Sequence, residues 1–63
     1  MIGDTVRKLR KGQRLTQCDL AEKAFVSPLT IVRLENGQQK PIPAVVKTIA
    51  DALGVTVGEL EGE

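Results

Sequence analysis

The residues able to do chemistry in this 63-residue chain are few, and their types are restrictive. There is no histidine, tryptophan or tyrosine; Cys18 is the lone cysteine and Phe25 the lone aromatic residue. Without histidine, a His-based general base or zinc site is impossible, and no plausible nucleophile–base pair remains. One cysteine makes neither an internal disulfide nor a thiolate cluster. No catalytic residue, cofactor or metal is therefore expected. Stacking platforms for single-stranded nucleic acid need aromatic faces and are disfavoured too. What remains is cationic and hydrogen-bonding chemistry. Arg33 can bind guanine O6 and N7 in a bidentate manner, or a phosphate; its type does not choose between them. Gln17, at the first position of a predicted helix, sits where a helix attracts anions. Backbone amides of the Asn36-Gly37 turn, with Lys40, make an anion site. Cys18 lies at a helix start, a position that activates thiols, so it reads either as a redox switch or as an inert exposed residue.

The net charge of +1 hides an asymmetry. Residues 1–40 carry eight cations against four anions, and residues 41–63 carry one against four, so a +4 part precedes a −3 part. That division suggests a part facing a polyanion and an acidic end facing away, although an ordinary solvated surface gives the same count. No apolar signal segment is visible at the start, and the longest uncharged stretch, Ala24 to Val32, is far short of a membrane span. An unpaired cysteine suits a reducing compartment. A cytoplasmic protein with no membrane or small-molecule partner is expected.

These groups must be positioned by helices. Ile2, Val6 and Leu9 recur at helical spacing, predicting a first helix over 2–12 that Gly12 and the polar Gln13-Arg14 end. Thr16 stands three residues before Asp19 as a capping box, opening a second helix over 17–24, with Leu15 placed to pack on Leu20. Ser27 as N-cap and Pro28 at the first helical position open a third over 28–36, which Asn36-Gly37 closes. The stretch QQKPIP is a stiff loop. A fourth helix over 44–53 buries Val46, Ile49, Ala50 and Leu53 and stops at Gly54. Thr56 and Glu59 box a last turn over 57–61, with frayed residues Gly62 and Glu63 beyond. No strand alternation or repeat competes. The expectation is one all-α domain over 1–63 with a small aliphatic core.

The segment QCDLAEKAFVSPLTIVRLEN, Gln17 to Asn36, has the length and apolar spacing of a helix-turn-helix. Ala21 is small where the helices must cross. Leu20, Val26, Ile31 and Leu34 fill the underside. The third helix is then held proud, ready for a major groove about 12 Å wide, with Pro28, Leu29, Val32 and Arg33 turned outward. Glu35, next to the core position Leu34, is expected to be half-buried and to need a partner. Arg10 is either that partner or a phosphate contact; the internal pair is preferred, because a stripped buried carboxylate costs roughly several kcal/mol.

The pattern LTQxxLAEK…VS…I…LENG, ending in ADALGV, resembles the phage repressor and Cro (lambda-repressor-like, XRE-type) helix-turn-helix DNA-binding family from about Ile2 to Leu60. The resemblance implies a compact five-helix lambda-repressor-like fold. It also implies a transcriptional repressor that binds double-stranded DNA as a homodimer on a near-palindromic operator, with two copies of helix three about 34 Å apart. On it, Pro28, Leu29, Val32 and Arg33 are the base-reading positions. Gln17, Ser27, Asn36 and Lys40 are phosphate positions, and Gln17 also supports the first residues of helix three. Arg10 and Glu35 form an ion pair beneath the DNA-facing surface. Three apolar side chains on the reading face leave little hydrogen-bond readout, which gives DNA shape a part in specificity. They also allow a rival reading: a protein-interaction module of the same fold, antitoxin-like or coactivator-like. Val57 and its loop are candidates for subunit pairing, or simply core.

Two positions depart from the family, which usually has glycine where Arg14 and Phe25 stand. If both need positive φ, each costs about 1–2 kcal/mol. Phe25 is expected either to offset that cost by packing or to mark a turn of slightly different shape.

Overall fold

The computed structural model describes residues 2–61; Gly62 and Glu63, expected to fray, lie outside the described residues. Five helices follow one another: α1 (Ile2–Gly12), α2 (Gln17–Ala24), α3 (Pro28–Glu35), α4 (Pro43–Leu53) and α5 (Val57–Leu60). No strand occurs among the described residues. Both expected capping boxes are formed: Thr16 with Asp19 opens α2 and Thr56 with Glu59 opens α5. Ser27 Oγ accepts from the Thr30 amide at the start of α3. Helix α4 starts at Pro43, one residue earlier than expected, because the missing N–H of proline costs nothing in a first turn. Helices α3 and α5 each close one residue early, with Asn36 and Glu61 as caps.

The four longer helices end in the same way. An N–H two or three residues past each end reaches back to a carbonyl in the last turn: Leu15 to Arg10, Val26 to Ala21, Gln38 to Arg33 and Val55 to Ala50, at 2.8–3.0 Å. This closure needs a left-handed residue between helix and loop. Gly37 and Gly54 supply it for α3 and α4, both at φ 72°, whereas Arg14 (φ 59°) and Phe25 (φ 57°) supply it for α1 and α2. Helix α1 therefore runs through Gly12, and the strained position is Arg14. Phe25 does not offset its conformation by packing, since it is 93% exposed.

The core holds Val6 from α1, Leu20, Ala21 and Ala24 from α2, Ile31 and Leu34 from α3, four residues of α4, and Leu60. Leu9, Leu15, Val26 and Val55 close its edges. Helix α2 packs chiefly on α4 and α3, and α1 lies against α3. That last approach is very close. A Cβ on Gly3 would collide with the Leu34 carbonyl oxygen and lie 3.0 Å from that of Glu35. Gln13, expected only as a helix stop, donates its amide to the Leu53 carbonyl at 2.6 Å and so ties the end of α1 to the end of α4.

Candidate nucleic-acid interface

Helix α3 is divided cleanly into two sides. Ile31, Leu34 and Glu35 are buried, while Pro28, Leu29 and Arg33 are exposed and Val32 is half-buried. The inner side is locked by an ion-pair network as well as by apolar contacts. Glu35, expected to be half-buried, is 4% exposed. Its two carboxylate oxygens take a bidentate grip from Arg10, with Nε to Oε2 at 2.7 Å and Nη2 to Oε1 at 3.0 Å. The remaining Arg10 nitrogen, Nη1, donates to the Leu15 carbonyl at 2.8 Å, so the same side chain also fixes the turn ahead of α2. Burial pushes the Glu35 carboxyl up; the hydrogen bonds from Arg10 and Gln17, the Arg10 charge and a contact from Arg7 outweigh it and hold the group below the usual carboxylate range. The Arg10 guanidinium is correspondingly raised by its bond to Glu35.

The network reaches further than one pair. Gln17 Nε2 donates to Glu35 Oε1 at 3.3 Å. Its side chain therefore meets the last residue of α3, not the first residues that it was expected to support. The residue itself is half-buried at the start of α2. Arg7 adds Nε to Glu35 Oε1 at 3.4 Å and Nη2 to Asn36 Oδ1 at 3.2 Å. In the sequence Arg7 is one of the eight cations of residues 1–40. Its signal was its place three residues before Arg10, which puts both guanidinium groups on one side of α1.

The other predicted groups lie around the exposed side of α3. Ser27 Oγ, besides its cap bond, pairs with Thr30 Oγ1 at 3.1 Å. Asn36 is exposed just past α3, with its carbonyl oxygen taken by Arg7 and its amide nitrogen left available to donate. Lys40 is exposed in the loop between α3 and α4. Gln17 and Ser27 thus stand at the starts of α2 and α3, and Asn36 and Lys40 beyond the end of α3. Cys18 is exposed beside Gln17. No cluster of side chains that could hold a metal occurs among the described residues, and none of their helices is long and apolar enough to cross a membrane.

An outward helix held by a buried ion pair, following a capped helix and a tight turn, defines a helix-turn-helix domain. The chain belongs to the helix-turn-helix family, whose pattern it matches over residues 6–60. It is 34% identical over 62 residues to the immunity repressor protein of Bacillus phage phi105, which covers 98% of this chain and 43% of that protein. It is 41% identical over 59 residues to the competence pilus inhibition repressor of Acinetobacter baylyi, covering 94% of this chain and 54% of that protein. The chain thus spans about half the length of these relatives. Its fold matches SinR, described as the master regulator for biofilm formation, in a crystal structure with DNA: the TM-score is 0.92 at 29% identity over 97% of this chain and 98% of that one. It also matches a SinR–SinI protein complex, with a TM-score of 0.93 at 30% identity over all of this chain and 62% of that one.

Proposed function

We propose that this chain is a sequence-specific double-stranded DNA-binding module of a transcriptional regulator, most simply a cytoplasmic repressor, that works as a homodimer. The observation that carries this reading is the two-sided α3. Its inner side is fixed by Ile31, Leu34 and the Arg10–Glu35 pair, while Pro28, Leu29 and Arg33 remain open to solvent. Pro28, Leu29, Val32 and Arg33 read base edges in the major groove. Gln17, Ser27, Asn36 and Lys40 meet phosphates on either side and fix the register. The repressor names of the relatives and the likeness to DNA-bound SinR support the same reading.

Pairing would use the end of α5. Val57 is 37% exposed and Ile42 51%, and a groove beside them is lined by Pro41, Pro43, Val46, Lys47 and Glu61. A two-fold axis through this patch would make the interface isologous, each copy presenting the same surface to the other, with Lys47 and Glu61 both within it.

The test is selection of bound duplexes from a random pool, followed by salt titration. Affinity should fall linearly on a log–log plot against salt, and Lys40→Ala should make the slope shallower by about 0.9. Arg33→Ala should relax one base position if Arg33 reads a base, or lessen the slope if it holds a phosphate. Duplex binding indifferent to Lys40→Ala, Arg33→Ala and Gln17→Ala would overturn the site. A second reading, a protein-binding module, draws on the exposed apolar residues of α3 and on the likeness to SinR bound to the protein SinI. Recovery of no DNA motif would favour it.

A further inference from the structure

We propose that Phe25 extends the reading surface beyond α3 and contacts a thymine methyl group; the proposal rests on the DNA-binding reading above. Phe25 carries two costs that nothing in the fold offsets. Its backbone is left-handed, at φ 57° and ψ 39°, where a side chain is strained. Its ring is 93% exposed, the most open of the large apolar side chains described. At the equivalent closing positions of α3 and α4 the chain has Gly37 and Gly54, which satisfy the same geometry without strain; Arg14, at the close of α1, shares the strain of Phe25, but its exposed side chain is charged and suited to water, which an open aromatic ring is not. Folding alone would favour glycine at position 25 as well. An uncompensated strained residue points to a role outside the fold.

The place of Phe25 says what that role is. It lies three residues before Pro28 and two before the Ser27 cap, at the leading end of α3. Pro28 and Leu29, three and four positions further on, are exposed as well, so exposed apolar residues run along the chain from the turn into the first turn of α3. In a major groove the apolar feature is the thymine methyl group, and phenylalanine is one of the side chains that meets it. Ser27, two residues on and exposed, suits a phosphate backbone beside that contact.

The experiment uses a duplex that the wild-type chain recovers from a random pool. Phe25→Gly keeps the left-handed turn and removes the ring. It should unfold at a higher temperature than wild type, yet bind the selected duplex about tenfold more weakly, with an unchanged salt slope. Replacing thymines by deoxyuridine one at a time removes single methyl groups. One such position should weaken wild-type binding and leave Phe25→Gly unaffected. Phe25→Gly binding as tightly as wild type, or a ring effect that couples to no thymine, overturns the proposal while leaving the DNA-binding reading in place. Wild-type recovery of no motif, with binding insensitive to salt, overturns both.

Discussion

Removing Arg10 should come close to unfolding the domain. In Arg10→Met the long apolar stem is retained, but Glu35 loses both of its short bonds, at 2.7 and 3.0 Å. It keeps Gln17 at 3.3 Å and Arg7 at 3.4 Å, which are long contacts, and its side chain is fully buried. Breaking a buried pair from one side costs about 3–5 kcal/mol. A domain of this size is expected to have a total stability of about 3–9 kcal/mol. Thermal and urea unfolding, followed by far-ultraviolet circular dichroism, should therefore show a midpoint lower by roughly tens of degrees or no folded baseline. The double variant Arg10→Met/Glu35→Leu removes the orphaned charge and should recover most of the loss, because well-packed apolar replacements for buried pairs are about neutral. The pH dependence follows from the depressed Glu35 carboxyl. Its contribution is fully present above the pKa of the unfolded chain and is lost as pH falls through the lower folded value. Wild type should thus lose stability in acid relative to the double variant. Asp19, also held low by its bonds to Thr16, keeps part of the acid dependence in both proteins. A cost under about 1 kcal/mol for Arg10→Met, or a double variant as unstable as the single one, would refute the reasoning.

Three further outcomes follow from the packing and the helix ends. Gly3→Ala should destabilise by about 1–3 kcal/mol in urea titration, since its Cβ would drive α1 off the Leu34 and Glu35 carbonyls. Arg14→Gly should raise the thermal midpoint by a few degrees, about 1 kcal/mol, because relief of a left-handed side chain exceeds the added freedom of the unfolded chain. Gln13→Ala should cost about 1 kcal/mol and hasten hydrogen exchange near the end of α4, where the 2.6 Å bond to Leu53 is lost.

The helices were legible because their signals are local. Thr16 with Asp19, Ser27 with Pro28, and Thr56 with Glu59 each lie within one turn, and all three starts stand where those residues place them. The side of α3 that faces inward also follows from spacing alone, through Ile31 and Leu34. The misread features depend on residues far apart in the chain. Arg7 meets Glu35 and Asn36 across 28 and 29 positions, and Gln13 meets Leu53 across 40. Nothing near Gly3 in sequence announces a carbonyl waiting on another helix. Of the two expectations for Phe25, packing fails, and it is the closing geometry of α2, not the residue type, that shows the ring turned to solvent. The candidate site residues could be proposed one by one, but not the hydrogen bonds linking Gln17, Glu35, Arg7 and Asn36 into one network.

In the proposed function α3 reads a duplex while flanking groups hold its phosphates. Its most direct test is equilibrium binding to a duplex selected from a random pool, measured over a range of salt for wild type, Lys40→Ala and Arg33→Ala. Wild type should recover a motif and lose affinity steeply and linearly with salt, Lys40→Ala should give a shallower slope, and Arg33→Ala either relaxed specificity or a shallower slope. A pool that yields no motif, with binding flat against salt and unchanged in both variants, would contradict it.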